Sequence, residues 1–253
     1  MLPDERRAAI IDLLQQVRSI SNAELAERFG VSLDTIRRDL RALTRAGFVV
    51  RTHGGAVWSD TREVTFRLHR DPMLAAKRAI ARKAIDFVRP GETLALDMGT
   101  TVTQLARVLT SAKRRRAVSA YTVDLRIAMI LAKDKEIRAH VIGGLIGERN
   151  YLSGPLAHKV IEGLAFDTLF LAASGVSPGA GITEPLEDVA EVKRALVARA
   201  KRIILLVDQG KFGKQHESVV APLEVVDVLI TNRTAPRTVL EQIEPLGVAC
   251  VRA

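Results

Sequence analysis

The chain has little cysteine and no long apolar run, and both scarcities narrow what the protein can be. Cys250 is its one cysteine among 253 residues, which excludes an intramolecular disulfide framework and fits a reducing compartment. No apolar run approaches the roughly 20 residues that a membrane-spanning helix needs. The opening residues, MLPDERRAAI, carry charges where a secretory leader would have an apolar centre. These features predict a cytoplasmic protein without a membrane partner.

Histidine is sparse as well, whereas positive charge is abundant. The five histidines are scattered without the spacing of metal ligands, so we expect no metal site and no cofactor. Lysine and arginine number 38 against 29 acids, which gives a formal net charge of +9. This balance makes a polyanion partner plausible, although basic proteins without such a partner are common. The hydrophobic fraction of 47% is large enough for a substantial core.

Three short helices, each with its own start or stop signal, are predicted near the N-terminus. The first, over residues 3–16, begins with a proline and two acids, as helix N-termini prefer. The second follows Ser21, which forms a capping box with Glu24, and it ends at Gly30. Ser32 then caps the third helix. Two short helices separated by a tight turn containing glycine form the helix-turn-helix pattern.

The third helix is apolar on one side and basic on the other. On a helical wheel, the apolar stripe consists of Leu33, Ile36, Leu40 and Leu43. The opposite side carries Arg38, Arg41 and Arg45. Thr35 and Arg37 lie on the flanks near the helix N-terminus, the end of a recognition helix that meets base edges and phosphates. Asp39 lies close to the apolar stripe, so we expect it to have a structural role and to pair with a neighbouring arginine.

A β-hairpin is predicted directly after this helix. Residues 48–58, FVVRTHGGAVW, have alternating β character around a Gly-Gly turn, which is typical of a wing. Arg51 and His53 on such a wing would lie against the phosphate backbone or the minor groove. A plain amphipathic helix would explain the apolar stripe and some arginines, but not three capped helices, a wing and a basic face together. We therefore predict that double-stranded operator DNA is bound by Ser32, Thr35, Arg37, Arg38, Arg41, Arg45, Arg51 and His53.

The remainder of the chain alternates strand-like and helix-like segments. Strands are predicted at 93–97, 117–120, 139–144, 167–174 and 202–208, with helices over 75–88, 101–109 and 186–200. Such alternation implies a mostly parallel sheet covered on both faces. The predicted organisation is a small α+β winged helix-turn-helix domain over residues 1–57, a linker over 58–74 and a larger α/β domain over 75–253.

Three polar, glycine-bearing loops follow strands of the predicted sheet, at the edge where such sheets bind ligands. The first contains Asp97 and Gly99, and the threonines that follow, with the free N–H groups of the next helix, suit a phosphate. The second loop covers residues 173–183. The third carries Asp208 and Lys211. Glycine-rich turns of this kind often serve geometry only, but three at one sheet edge, one of them with a lysine, favour a small anionic ligand.

The N-terminal motifs resemble the DeoR family of bacterial transcription regulators. The run S-x-x-T-I-R-R-D-L occupies residues 32–40, and R-x-H-G-G-A follows at residues 51–56. The resemblance continues over residues 75 to about 232, where it implies an effector sensor similar in fold to ribose-5-phosphate isomerase and related CoA-transferase-like proteins. Matching sensor positions are Asp97, Gly99, Thr100, Thr101, Gly143, Gly144, Ser153, Gly154, Ser174, Gly175, Gly181, Thr183, Glu191, Lys193, Asp208, Lys211 and Phe212.

The resemblance implies that the effector is a phosphorylated sugar or polyol. Relief of repression by the effector is the usual response in the family, and the sequence alone leaves activation open as well. The runs D-x-G-T-T and V-D-x-x-K-F-G-K are most similar to the glycerol-3-phosphate repressor branch. Effector binding is assigned to Asp97, Gly99, Thr100, Thr101, Gly143, Ser174, Gly175, Asp208 and Lys211. One helix-turn-helix domain covers only one half-site of an operator, so we expect a homo-oligomer, either a dimer or a tetramer.

An isomerase-like fold raises the alternative of a sugar-phosphate isomerase-like enzyme with a fused DNA-binding domain. An aldose–ketose isomerase needs a general base beside the sugar carbons, usually a carboxylate. The loop from Ser174 to Thr183 contains no acid, and Glu184, Glu187 and Glu191 come only after it. We therefore expect a sensor without catalytic residues.

Overall fold

The chain divides into two compact units, Met1–Asp71 and Pro72–Ala253. The computed structural model describes residues 3–17, 19–45, 48–52, 54–58, 72–111, 117–147 and 150–253. Within these ranges, no helix is long and apolar enough to cross a membrane.

The N-terminal unit is a helix-turn-helix with a β-wing, as the sequence predicts. Its elements are α1 (Pro3–Val17), β1 (Ser19–Ser21), α2 (Asn22–Phe29), α3 (Leu33–Arg45), β2 (Val49–Arg51) and β3 (Gly55–Trp58). The strands form an antiparallel sheet in the order β1-β3-β2, and the sequence does not predict β1. Its pairing with β3 depends on Gly55, because a Cβ there would lie 2.2 Å from the carbonyl oxygen of Ile20.

Local capping signals end and begin the helices where the sequence predicts. The Ser21 hydroxyl accepts a hydrogen bond from the Glu24 amide, and the Glu24 carboxylate accepts one from the Ser21 amide at 2.9 Å, which confirms the capping box. Gly30 ends α2 in the left-handed conformation, with φ at 62°. At the start of α3, the Ser32 hydroxyl accepts a hydrogen bond from the Thr35 amide at 3.3 Å.

The C-terminal unit is built on a seven-stranded parallel sheet, which confirms the predicted α/β class. The sheet has the order β15-β14-β12-β9-β4-β5-β6. Its strands are β4 (Thr93–Leu96), β5 (Val118–Thr122), β6 (Ile137–Val141), β9 (Thr168–Ala172), β12 (Ile203–Leu206), β14 (Val228–Thr231) and β15 (Ala249–Arg252). Its helices are α4 (Leu74–Ala84), α5 (Thr100–Ser111), α6 (Leu125–Leu131), α7 (Pro155–Glu162), α8 (Glu187–Ala198) and α9 (Arg237–Ile243), with 3-10 turns at 85–87, 209–211, 223–225 and 244–246.

Both faces of the sheet are covered by helices, as the apolar strands predict. One face packs against α4, α5 and α6 through Leu94, Leu96, Phe170, Ile204, Leu206 and Ile230. The other packs against α7, α8 and α9 through Ala95, Leu169, Leu171, Ile203, Leu205 and Leu229. Side chains alternate between the two faces along each strand, so a strand buried on both sides must be apolar throughout.

Several elements are not predicted from the sequence. A three-stranded antiparallel sheet, in the order β10-β11-β13, consists of β10 (Gly175–Ser177), β11 (Gly181–Glu184) and β13 (Ser218–Ala221). A small hairpin consists of β7 (Leu145–Ile146) and β8 (Leu152–Ser153). The predicted strand 139–144 instead covers Ile137–Val141, and β3 and α4 each extend one residue into the predicted linker, at residues 58 and 74.

Candidate DNA interface and ligand site

One face of α3 is basic and open to solvent. Arg37, Arg38 and Arg41 are exposed, whereas the apolar stripe on the other side of the helix packs into the core of the unit. Leu33 is an exception to the predicted stripe, since its side chain is 44% exposed. It is the first residue of α3 and lies beyond the part of the helix that packs against the core.

Arg38 is held loosely on this face. Its guanidinium lies 3.1 Å from the Asp34 carboxylate one turn earlier, and the two side chains are 73% and 71% exposed. An exposed pair of this kind contributes about 0.3–0.5 kcal/mol, so DNA can replace it at little cost. At the same end of the helix, the hydroxyls of Ser32 and Thr35 lie 2.9 Å apart.

Of the remaining predicted DNA contacts, Arg51 is the one whose side chain lies in the described part of the structure. Arg51 ends β2 and is exposed. Arg45 is the last residue of α3, but its side chain lies outside the described part of the structure, and so does His53.

A cluster of three charged side chains, Arg6, Arg7 and Asp39, connects α3 to α1. Asp39 is 1% exposed, and its two carboxylate oxygens accept hydrogen bonds from the Nε atoms of Arg6 and Arg7, at 2.7 and 2.9 Å. Asp39 does pair with arginine, as expected, but both partners come from α1 and lie more than 30 residues away in the chain. The cluster ties α3 to α1 on the side of the helix that also buries Ile36 and Leu40, opposite the exposed arginines.

The C-terminal unit gathers charged side chains at the carboxyl ends of β4, β9 and β12, which are neighbours in the sheet. Asp97 follows β4 and is fully buried. Its Oδ2 accepts hydrogen bonds from the Ala172 amide at 3.0 Å and from the Lys193 ammonium at 2.7 Å. Its Oδ1 is buried and accepts no hydrogen bond from any described residue.

Lys193 connects this strand end to the small antiparallel sheet. Its ammonium also donates to the Ala172 carbonyl at 2.8 Å and lies 2.9 Å from the Glu184 carboxylate. Glu184 in turn accepts hydrogen bonds from the amide and hydroxyl of Ser174, at 3.1 and 2.6 Å. The Ser174 hydroxyl, predicted to bind the effector, is therefore engaged by a carboxylate.

The two carboxylates around Lys193 differ in their titration. Burial raises the pKa of Asp97 in spite of the nearby ammonium. Burial also acts to raise the pKa of Glu184, but the charge of Lys193 and the hydrogen bonds from Ser174 outweigh it, so this pKa lies below its ordinary value. For Lys193 burial acts to lower the pKa, and the two carboxylates together raise it. The two carboxylates that share one buried ammonium therefore have pKa values shifted in opposite directions, upward for Asp97 and downward for Glu184.

A second group of charges lies beside the first, around Asp208 after β12. The Asp208 Oδ1 accepts a hydrogen bond from the Gly210 amide at 2.9 Å and so begins the short 3-10 turn that ends with Lys211. The other oxygen lies 3.7 Å from the ammonium of Lys77 on α4. Asp208 and Lys211 are thus brought to the edge that carries Asp97.

The glycines and threonines predicted for effector binding are at this edge but have different surroundings. Gly99, with φ at 123°, precedes α5, and Thr100 is the first residue of that helix; Thr101 is buried. Gly175 has a packing role, because a Cβ there would lie 2.5 Å from the Lys214 carbonyl oxygen. Gly143 follows β6, two strands away from β4, and so lies at the flank of the group.

Lys77 and Lys193 are charged residues of this edge to which the sequence analysis assigns no ligand or electrostatic role. Each lies within the apolar stripe of its helix: Lys77 shares a face with Ile80, Ala81 and Ala84, and Lys193 shares one with Val189 and Leu196. A lysine at a core position of an amphipathic helix is the signal that could have identified both, since a buried ammonium requires a counter-charge.

A winged helix-turn-helix joined to a parallel α/β unit with charged strand ends defines the class of the protein: a DNA-binding regulator with a sensor-type domain. Residues 6–62 match the DeoR-like helix-turn-helix domain, and residues 73–233 match the DeoR C terminal sensor domain. The chain belongs to the DeoR family of transcriptional regulators.

Relatives in this family match nearly the whole chain. The HTH-type transcriptional regulator GlpR of Haloferax volcanii is 35% identical, over 99% of this chain and 98% of its own length. The glycerol-3-phosphate regulon repressor of Escherichia coli is 29% identical, over 95% of each chain. Among solved structures, ribose 5-phosphate isomerase A from Methanocaldococcus jannaschii matches 55% of this chain and 54% of its own, with a TM-score of 0.42 and 18% identity.

Proposed function

We propose that this regulator represses an operon of sugar or polyol metabolism and leaves its operator when a phosphorylated sugar or polyol binds. The observation that carries the proposal is the presence, in one chain, of an exposed arginine face on α3 and of a lysine-bearing strand edge in a sensor domain. Relatives named as repressors of such operons support the direction of the response. In this scheme, residues 1–57 form the DNA-binding domain, residues 58–74 form the linker between the two domains, and residues 75–253 form the domain that binds the effector.

Operator recognition is assigned to α3 in the major groove. Arg37 and Arg38 are exposed on the helix and can donate to base edges, each contributing about 1–3 kcal/mol of discrimination when bidentate to guanine. Arg41, Arg45 and Arg51 neutralise phosphates, which gives a salt-dependent term without sequence preference. His53 on the wing and the hydroxyls of Ser32 and Thr35 complete the interface. One such reader covers half a site, so the protein acts as a dimer or tetramer in the cytoplasm.

The effector is assigned to the edge formed by Asp97, Gly99, Thr100, Thr101, Gly143, Ser174, Gly175, Asp208 and Lys211. Lys211 is the anion ligand, supported by its half-buried position in the turn after β12. The unpaired Oδ1 of Asp97 is suited to accept a hydrogen bond from a sugar hydroxyl.

A sensor explains these carboxylates better than an isomerase does. Glu184 is the first acid after the loop 174–183, and it is engaged by Lys193 and by Ser174. A general base must reach the proton it removes, and a carboxylate held in this way is not free to do so. We therefore propose that the protein has no catalytic activity of its own.

A thermal-shift screen tests the effector assignment. The purified protein is heated with glycerol 3-phosphate, fructose 1-phosphate, ribose 5-phosphate and inorganic phosphate, and with glycerol, fructose and ribose as unphosphorylated controls. A ligand at 100 times its dissociation constant stabilises the domain by about 2.7 kcal/mol. We expect stabilisation by one phosphorylated compound and not by its control. A sensor domain that binds unphosphorylated sugars equally well would overturn the assignment.

A further inference from the structure

Asp208 is one carboxylate shared between two lysines of unlike surroundings. Lys77 comes from α4, is 7% exposed, and has its ammonium 3.7 Å from the Asp208 Oδ2. Lys211 stands three residues after Asp208, at the end of the 3-10 turn that the Asp208 carboxylate begins, and is only half-buried. The buried side of the carboxylate therefore faces one ammonium, and the open side of the turn carries the other.

Asp208 supplies a counter-charge for Lys77. The lysine lies among the apolar positions that fasten α4 to the sheet, where an ammonium without a counter-charge would be strongly unfavourable. Both members of the pair are at least nine-tenths buried, and their mutual attraction is correspondingly little screened by solvent.

The same arrangement leaves Lys211 with incomplete compensation. Burial lowers the pKa of Lys211; Asp208 acts to raise it, Lys77 and the exposed Lys214 lower it further, and Glu184 acts weakly in the opposite direction. Glu184 is already bonded to Lys193, so it adds little. Asp208 is the carboxylate that acts most strongly on Lys211, and it also lies 3.7 Å from the Lys77 ammonium, so its charge is shared between two cations. A cation that shares one carboxylate with a second lysine is short of negative charge, which is the condition for binding an anion.

We propose that Lys77 is a positioning residue of the ligand site: it holds Asp208 so that the charge of Lys211 is left for the phosphate of an effector. This inference rests on the proposed function of Lys211 as the anion ligand. Without Lys77, the Asp208 carboxylate interacts with Lys211 alone. The two side chains then form an internal ion pair that competes with the phosphate for Lys211.

The test compares Lys77→Met with Lys83→Met. Methionine keeps the apolar stem of Lys77 and removes its charge. Lys83 is on the same helix and forms a surface pair with Asp86, 3.2 Å apart, so its variant controls for the loss of one positive charge from α4. Lys77→Arg restores the charge and should behave like the parent protein. Should the methionine variant fail to fold, Lys77→Gln removes the charge while keeping a hydrogen-bond donor for Asp208.

The first measurement needs no ligand. Competitive labelling of amines with acetic anhydride, followed by mass spectrometry, gives the reactivity of Lys211 as a function of pH. We expect the labelling midpoint of Lys211 to move to higher pH in Lys77→Met, because the neighbouring positive charge is gone, and to stay in place in Lys83→Met and Lys77→Arg. An unmoved midpoint in the folded Lys77→Met protein overturns the proposal.

The second measurement is the affinity for the phosphorylated compounds and inorganic phosphate named above, by calorimetry. We expect Lys77→Met to bind about tenfold more weakly, the size of one pKa unit of charge interaction, while its affinity for operator DNA without ligand is unchanged. Parent-like phosphate affinity in this variant overturns the proposal. If the parent protein binds none of these compounds, the proposed effector class fails, whereas the labelling result still decides whether Lys77 positions Asp208 and Lys211.

Discussion

Each unit of the protein contains a cluster of three charged side chains around one buried central charge, and the signs of the charges are reversed between the two clusters. Behind α3, one carboxylate, Asp39, holds two arginines. At the ligand edge, one ammonium, Lys193, holds two carboxylates, Asp97 and Glu184. In each cluster the single charge lies between two opposite charges, and one charge remains in excess.

The excess charge is compensated differently in the two clusters. In the first, Arg7 is 32% exposed and also contacts Asp4, so water and the surface carry the extra charge. In the second, all three side chains are buried, and burial raises the pKa of Asp97 above its ordinary value. The first cluster is solvated at one end, whereas the enclosed one retains a buried acceptor, the Oδ1 of Asp97, that accepts no hydrogen bond from any described residue.

The largest expected effect comes from removing the central charge of the enclosed cluster. Lys193→Met leaves Asp97 and Glu184 buried without a cation, and breaking a buried ion pair in this way costs about 3–5 kcal/mol. Urea unfolding of the C-terminal unit measures the loss. Lys201→Met, which removes an exposed pair with Asp167, is the control and should change stability by less than about 1 kcal/mol. Equal effects of the two variants would mean that Lys193 is not the centre of the cluster.

A smaller loss is expected from the cluster around Asp39. Asp39→Asn removes the carboxylate charge that lies 2.7 Å from the buried Arg6, while Arg7 can turn to solvent, so we expect the free energy of unfolding of the N-terminal unit to fall by about 2–3 kcal/mol. Operator binding should weaken as well, because α3 loses its tie to α1. Denaturant unfolding and a fluorescence anisotropy titration with operator DNA measure the two effects. Asp34→Asn serves as the control for stability, and a comparable destabilisation in it would argue against the structural role of Asp39.

Substitution on the exposed face should separate DNA binding from stability. Arg38→Ala removes the proposed base-edge contact and is expected to weaken specific operator binding by about 1–3 kcal/mol per half-site, while leaving the free energy of unfolding within about 0.5 kcal/mol of the parent protein. Arg41→Ala, by comparison, should weaken binding to all sequences alike and reduce the salt slope by about 1. Titrations at several salt concentrations measure both. Loss of effector binding in Arg38→Ala would show that Arg38 has a structural role.

The smallest effect is expected from Asp97→Asn, which tests whether one ionised carboxylate is enough for Lys193. Because the pKa of Asp97 is raised above 3.8 in the folded protein, the folded state binds its proton more tightly than the unfolded state does. The contribution of Asp97 to stability therefore falls as the pH rises above 3.8, and the asparagine variant lacks this dependence. The parent protein should lose stability relative to Asp97→Asn between about pH 4 and the raised pKa. Urea unfolding across this range measures the difference, which should not grow if Asp97 is ionised throughout.

Local signals in the sequence were sufficient for the helix-turn-helix, the wing and the parallel α/β class, but not for β1 or the small antiparallel sheet β10-β11-β13. Helix ends depend on a capping serine, a glutamate three residues later or a glycine in the left-handed conformation, and all of these act within one turn of chain. Alternation of apolar strands with helices is likewise enough to specify a parallel sheet covered on both faces. The residues that follow the strands could be named for the same reason, because the carboxyl ends of parallel strands share one edge.

The partners of the buried charges were decided only by the tertiary structure. Lys193 and Asp97 are 96 residues apart in the chain, and Arg6 is 33 residues from Asp39, so no spacing in the sequence connects them. A lysine on an apolar stripe indicates that some carboxylate must lie near, but which one depends on how α4 and α8 pack over the sheet. The sequence by itself therefore determined the three N-terminal helices, the wing and the parallel α/β class, because these follow from short-range rules. The folded chain decided which charges cancel and which remain, because Coulomb interactions depend on distance in space.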